Sequence, residues 1–298
     1  MLLGDFFPPA FFCPHELERV GDLGDGGKWV CGISQLQEKE NCVVYSIGTL
    51  ESSSSTFDTL IRAPFPFSTG PPTDASFEAE LLARTRHCQL FIFDHTASSL
   101  PHGLSTHATS PARFDEFYAP LDTLNYDDKL DYWDSRHILQ RAHFKPYRIA
   151  GFDAHGAGDT PKTYTLESLM RQNGVATFQY VFTPSSFPCF TGHTHIDLLK
   201  IDLEGWEFDA LTTFLMPGPE FTDETPRIPP VSQMLLELHL WNRGFSDLLN
   251  WWSTLERAGL RAVAREPNLV YQNYNRMQGA ELAEVCHLQF SRSVGGPR

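Results

Sequence analysis

Three features that would define its class at once are missing from this sequence: a basic tract, a long apolar run, and cysteines at a metal-binding spacing. Lysine and arginine number 23 against 37 aspartates and glutamates, which gives a net charge of −14. Because phosphate neutralisation supplies much of the affinity for nucleic acid, this balance argues against a nucleic-acid partner. No run of about 18 apolar residues occurs, so no membrane span is predicted.

The N-terminus also lacks the marks of a secretory signal. Residues 1–12 have no basic start, and Asp5, Pro8 and Pro9 interrupt the apolar stretch that a signal peptide needs. The chain contains no Asn-x-Ser/Thr acceptor for glycosylation. The cytoplasm is therefore the expected compartment, with an anchored or secretory-pathway form left open.

Cysteines are few and scattered: the six stand at positions 13, 31, 42, 88, 189 and 286, without a CxxC pair. Cys42, Cys88 and Cys286 lie at the edges of apolar strand-like runs, where we interpret them as buried free thiols. A disulfide between Cys13 and Cys31 is an open alternative for the remaining region.

What the sequence does contain is an alternation of apolar strand-like runs with helix-like patterns, which predicts βαβ units and an α/β fold with a mostly parallel sheet. Strands are predicted over 42–48, 89–95, 145–152, 196–202 and 233–240, with a closing pair at 259–266 and 285–292. Helices are predicted over 76–86, 165–174, 207–215 and 246–259.

Two long segments interrupt this alternation. We predict one domain over 1–298, with an N-terminal extension at 1–40, an irregular Ser- and Pro-rich insertion at 50–75 and a further insertion at 96–140. Long loops inside a compact domain are usually functional or disordered. The acidic, aromatic part of 96–140 is interpreted either as a lid over an acceptor or as a solvated surface helix.

Gly48 and Asp94 end the first two predicted strands. In doubly wound folds a glycine turn after the first strand adjoins the ligand, and an acidic residue about 20 positions later binds the ribose. Asp94 meets that spacing once the insertion at 50–75 is removed. The full GxGxxG pattern is absent, which argues against a nicotinamide enzyme. The alternative is a plain turn at Gly48 and a helix cap at Asp94.

Asp202 and Glu204 follow the fourth predicted strand and share one side of the chain. The carboxyl ends of parallel strands form the ligand crevice of open α/β sheets, and two carboxylates there are costly to bury unless they bind something. Gly205 permits a tight entry into the next helix. Glu204 alone is also interpreted as a simple cap of that helix.

Glu237 and His239 end the fifth predicted strand on a common face. A histidine between acidic groups is suited to general-base catalysis, so His239 is the candidate base. Two alternatives stay open. One is a hydrogen-bonded core histidine, and the other is a metal site of Asp202, Glu237 and His239, although no metal is the primary expectation.

The glycine-rich block at 20–32 contains Asp25, Lys28 and Trp29. It precedes the first predicted strand of the sheet and is interpreted as a segment that folds over the ligand. A hairpin turn with an exposed lysine is the alternative.

Taken together, the motifs resemble those of the FkbM-like methyltransferases and the related eukaryotic methyltransferase-like family. The matching blocks are GDGGKWVC (24–31), CVVYSIG (42–48), SFE (76–78), FD (93–94), TLESL (165–169), LLKIDLEGWE (198–207) and LLELHL (235–240). The resemblance departs from the family pattern after Gly48, where this chain inserts residues, and after Asp94, where His95 and Thr96 replace a proline-containing turn.

The resemblance implies a Rossmann-like class I methyltransferase fold with a seven-stranded sheet, an antiparallel strand near the C-terminus, and S-adenosylmethionine as cofactor. It matches Gly48, Asp94 and Asp202 to cofactor-binding motifs, and it adds Glu78 and the residues Asp25, Lys28 and Trp29 to the expected cofactor set. Asp202, Glu204, Glu237 and His239 are the expected catalytic set.

The expected reaction is methyl transfer to an oxygen or nitrogen of an unidentified acceptor, either a small molecule or a peptide or protein. A non-catalytic binding protein on a methyltransferase scaffold is the alternative function, because a fold by itself does not guarantee chemistry.

Overall fold

A computed structural model describes residues 9, 11–23, 26–48, 75–100, 104, 139–173, 193–239, 243–267 and 286–292, the last seven by their backbone. Most residues of the predicted insertions at 50–75 and 96–140 lie outside the described residues. Asp25 and Cys189 lie outside them as well. The described chain forms two compact units, one from His15 to Pro146 and the other mainly from Tyr147 onward.

The first unit contains a hairpin and a parallel sheet. Strands β1 and β2 pair antiparallel, whereas β3, β4 and β5 are parallel neighbours in that order. The elements are β1 (Leu17–Val20), β2 (Lys28–Cys31), α1 (Ser34–Gln37), β3 (Val43–Ile47), α2 (Ser76–Arg84), β4 (Gln89–Phe93) and β5 (Ala142–Lys145).

Strands β3 and β4 are buried almost throughout, as expected for parallel strands covered on both faces. The ring of Tyr45 lies 5.5 Å from that of Phe91 and 5.3 Å from that of Phe93, in tilted contacts that favour aromatic pairs. This packing fixes the carboxyl ends of both strands, where Gly48 and Asp94 follow.

The second unit contains the remaining strands. Strands β8 and β9 are parallel, β11 pairs antiparallel with β9, and β10 pairs antiparallel with β11. The elements are β6 (Arg148–Ile149), β7 (Thr163–Tyr164), α3 (Leu166–Asn173), β8 (Ile196–Ile201), α4 (Glu207–Leu215), β9 (Val231–Leu238), α5 (Phe245–Arg257), β10 (Leu260–Pro267) and β11 (Cys286–Arg292).

The prediction of an α/β chain with mostly parallel strands is confirmed: β3, β4, β5, β8 and β9, and also β6 and β7, each have a parallel neighbour, and helices alternate with the strands. The predicted closing pair is also present as β10 and β11. In place of the third predicted strand, 145–152, the structure has β5, which ends at Lys145, and the short β6 at Arg148–Ile149. Pro146 lacks the N–H that a continuing ladder needs, which accounts for the end of β5 at Lys145.

The cysteine prediction requires a correction. Cys42 and Cys88 form a disulfide, and they precede the neighbouring parallel strands β3 and β4 with a Cα–Cα distance of 4.3 Å. They are therefore not free thiols. Cys13 and Cys31 are also disulfide-bonded. The alternative prediction for these two residues required both to be oxidised, and both are. Within the described residues, no helix has both the length and the apolar character needed to cross a membrane.

Candidate functional site

The first cluster of predicted residues lies at the carboxyl ends of β3 and β4. Gly48 has a φ of +73°, a left-handed conformation that glycine adopts without steric cost. Its N–H donates to the carbonyl oxygen of Phe93 at 2.9 Å. The structure therefore brings Gly48 and Asp94 to adjacent positions at one sheet edge, as the sequence predicted.

Asp94 is almost completely buried, with 4% of its surface exposed. Its Oδ1 atom accepts hydrogen bonds from the backbone N–H of Thr96 at 2.7 Å and from the Thr96 hydroxyl at 2.6 Å. Thr96 therefore orients the carboxylate through two neutral donors.

Glu78 lies behind this edge in the first turn of α2. The Ser46 hydroxyl donates to its Oε1 atom at 2.7 Å, and both side chains are fully buried. Glu78 is therefore tied to β3 two residues before Gly48. A buried carboxylate needs such a donor to offset its desolvation.

The glycine-rich block forms the β1–β2 hairpin of the first unit. Lys28 is 5% exposed, so the alternative of an exposed lysine is wrong, and Trp29 is half-buried. The backbone N–H groups of Gly21 and Asp22 donate to Glu80 Oε2 at 2.8 Å and to Ser76 Oγ at 2.9 Å. The hairpin is thereby fastened to the start of α2.

A second cluster lies at the carboxyl ends of β8 and β9 in the second unit. Asp202 follows β8 directly and His239 follows β9 directly, and the two strands are parallel neighbours. His239 Nε2 lies 3.8 Å from Asp202 Oδ1 and 3.9 Å from Glu204 Oε2. The structure therefore brings these three side chains together, as the sequence predicted.

Glu207, the first residue of α4, is the central residue of this cluster, and the sequence prediction missed it. Its fully buried carboxylate accepts through Oε1 from Leu203 N–H and Gly205 N–H at 3.2 Å each, and from His239 Nδ1 at 2.5 Å. A glutamate reaching back from a first helical turn is the signal known from capping boxes. That signal was present in the final residue of KIDLEGWE.

The turn between β8 and α4 has an uncommon backbone. Glu204 and Gly205 have φ values of +51° and +96°, two consecutive residues in the left-handed region. The helix is capped at Trp206 without a side-chain hydrogen bond, so the interpretation of Glu204 as a helix cap is wrong. Glu204 is instead half-exposed at the surface of the cluster.

The charges around His239 determine its protonation. Burial alone would lower the pKa of this imidazole, but the hydrogen bond to Glu207 and the charges of Asp202, Glu207 and Glu204 raise it to about 10. His239 therefore holds its proton at neutral pH in this arrangement. General-base catalysis needs the neutral imidazole, which these carboxylates disfavour.

Glu237 takes no part in the group of clustered ligand atoms. It is buried within β9, opposite His287 in the register with β11. Within the described part of the chain, ligand-type atoms of Asp202, Glu207 and His239 form a group of three that lie within 4.8 Å of one another. The alternative metal set predicted from the sequence contained Glu237 in the place of Glu207.

Comparison with known families gives two matches. Residues 2–63 match a methyltransferase domain, and residues 141–262 match the methyltransferase FkbM domain. The second match contains Asp202, Glu204, Glu207 and His239, and the first contains Gly48. No curated protein and no solved structure matches the chain.

Proposed function

We propose that this chain is an FkbM-like methyltransferase that transfers the methyl group of S-adenosylmethionine to an oxygen or nitrogen of a small-molecule, peptide or protein acceptor. The partial matches over residues 2–63 and 141–262 support the proposal. The proposal includes a Rossmann-like class I fold. In support, β5-β4-β3 and β8-β9 have the strand orders of the two halves of a doubly wound sheet, 3-2-1 and 4-5.

The observation that supports the cofactor best is the pairing of Gly48 with Asp94. S-adenosylmethionine carries a ribose and a charged methionine moiety, and a buried carboxylate beside a glycine turn fits both. In the proposal Asp94 binds the ribose hydroxyls and the Gly48 turn adjoins the methionine moiety. The family resemblance adds Glu78, Lys28, Trp29, Asp25 and Asp202 to the cofactor set.

The proposed acceptor side consists of Asp202, Glu204 and His239. Methyl transfer from a sulfonium requires alignment of the nucleophile and a desolvated site more than covalent catalysis. Because His239 holds its proton, we assign removal of the acceptor's proton to the carboxylates of Asp202 and Glu204. Glu207 is a positioning residue that orients His239 and the turn, and the proposal leaves Glu237 out.

Calorimetric titration with S-adenosylmethionine tests the cofactor assignment. We expect the wild-type chain to bind one equivalent and Asp94→Ala to bind at least about tenfold more weakly, because a charge-assisted hydrogen bond to the ribose is lost. Glu38→Gln is the matched control in the same unit, since Glu38 is exposed and pairs only with Arg86 among the contacts seen. Equal affinities of wild type and Asp94→Ala would remove the assignment.

We also infer that the protein works in an oxidising compartment rather than in the cytoplasm that the sequence favoured. Each of the four cysteines whose side chains the structure describes is disulfide-bonded. Such bonds persist in oxidising environments and are rare in the reducing cytosol. Alkylation of the natural protein before and after reduction, followed by peptide mass spectrometry, should find Cys42 and Cys88 blocked until the reductant is added. Their alkylation without reductant would contradict the inference.

A further inference from the structure

We propose that Asp202, Glu207 and His239 form a binding site for one divalent metal ion of the Mn²⁺ or Zn²⁺ type. Each side chain offers one ligand atom, and the three atoms lie within 4.8 Å of one another. Two metal–ligand bonds of about 2.1 Å span at most about 4.2 Å, so small side-chain rotations bring all three atoms onto one ion. The site lies within the second unit and does not depend on the proposed methyl transfer.

An independent observation concerns the second carboxylate oxygen of Glu207. Oε1 accepts all three hydrogen bonds of this side chain, from Leu203 N–H, Gly205 N–H and His239 Nδ1. Oε2 is buried and has no hydrogen-bond partner among the described residues. A buried carboxylate oxygen without a donor is rare and costly in folded proteins. A cation at this point removes that cost and explains why the side chain is held with Oε2 available.

The surroundings of His239 fit the same ion. Glu207 holds Nδ1, while Nε2 faces Asp202 and Glu204 at 3.8 Å and 3.9 Å. When the ion binds, the hydrogen bond between Nδ1 and Glu207 is exchanged for metal–ligand bonds of the two side chains. The ring nitrogen that binds the ion loses its proton, as for every histidine ligand.

The ligand types indicate the class of metal. Carboxylates suit Mn²⁺, imidazole suits Zn²⁺, and a site with two carboxylates and one imidazole combines both preferences. Glu204 lies close enough to Nε2, and is exposed enough, to approach the same ion from the solvent side. The excess of carboxylates over cationic groups in the cluster attracts a divalent ion in preference to a monovalent one.

The test uses the complete chain, stripped with a chelator and titrated with Mn²⁺ while electron paramagnetic resonance follows the free ion. We expect one ion per chain in the wild type and binding weaker by at least about tenfold in Asp202→Asn and in Glu207→Gln. Zn²⁺ should displace the bound Mn²⁺. Asp209→Asn is the control, because Asp209 lies on the same helix with its side chain 57% exposed, and it should bind like the wild type.

Two results would overturn the proposal. One is the absence of saturable binding of both Mn²⁺ and Zn²⁺ by the wild type. The other is unchanged binding in Asp202→Asn, which would place any bound ion elsewhere. Asp202 is partly exposed, so we expect Asp202→Asn to fold and to test the site even if Glu207→Gln does not fold. Metal binding without S-adenosylmethionine binding would refute the methyl transfer and leave the metal site intact.

Discussion

The two pairs of parallel strands, β3–β4 and β8–β9, both deliver carboxylates to their carboxyl ends, but they are held together differently. β3 and β4 are joined covalently at their amino ends by the Cys42–Cys88 disulfide. Beyond the carboxyl ends of β8 and β9, the helix that follows β8 is linked to the residue after β9 by the ion pair of Glu207 with His239. The first pair is therefore expected to respond to reductant, and the second to loss of charge.

The ends of the two strand pairs also differ in their electrostatics. The carboxylate of Asp94 is oriented by the neutral donors of Thr96, an arrangement that suits a polar, uncharged group such as a ribose. Asp202, Glu204 and Glu207 instead surround one imidazole. This difference suggests recognition at the first edge and handling of a proton or a cation at the second.

The largest expected effect is that of Glu207→Leu. Glu207→Leu removes the hydrogen-bonded partner of the buried His239 imidazolium and leaves two backbone N–H groups without an acceptor, so we expect the free energy of unfolding to fall by about 3–5 kcal/mol. Denaturant unfolding followed by circular dichroism measures this.

Two further variants sharpen the result for Glu207. Glu207→Gln keeps an acceptor for Leu203 and Gly205 and should lose less stability than Glu207→Leu. Asp209→Ala, on the exposed side of α4, should change the free energy of unfolding by no more than about 0.5 kcal/mol. If Glu207→Leu were as stable as Asp209→Ala, the second strand pair would not depend on its ion pair.

Loss of the disulfide should have the next largest effect. Cys42 and Cys88 are separated by 46 residues, and a bridge closing such a loop stabilises a protein by about 2–4 kcal/mol. We expect the double variant Cys42→Ala, Cys88→Ala to unfold at correspondingly lower denaturant concentration. Reductant should destabilise the wild type more than this variant. Equal sensitivity of the two proteins to reductant would show that the bond does not brace β3 and β4.

The same comparison shows which features the sequence reveals. The strands predicted over 42–48 and 196–202 are found because both faces are buried, so most of their residues are apolar. β5 is mostly half-exposed, and its residues Ala142 to Lys145 form no apolar run, so the predicted strand began only at Lys145. Burial on both faces is visible in a sequence, whereas a half-exposed strand depends on its neighbour.

The features that the sequence did not reveal depend on register and on turn geometry. Cys42 and Cys88 meet only because Val43 is paired with Gln89 across β3 and β4. Glu207 reaches His239 only because Glu204 and Gly205 turn the chain back through the left-handed region. Neither the register nor the turn follows from hydrophobic periodicity, which fixes the type of an element but not its partner.

The smallest expected effect concerns Thr96, whose side chain is exposed although it orients the buried Asp94. Thr96→Val removes the hydroxyl donor and keeps the backbone donor, so we expect S-adenosylmethionine affinity to fall by about 1 kcal/mol, or about fivefold. Thr222→Val, which removes an exposed hydroxyl contact with Thr225 in the second unit, is the control for calorimetry. Because one of the two donors to Asp94 remains, the loss should be smaller than in Asp94→Ala. A loss as large as that of Asp94→Ala would mean that the hydroxyl itself contacts the cofactor, and the first edge would then recognise its ligand through more than one carboxylate.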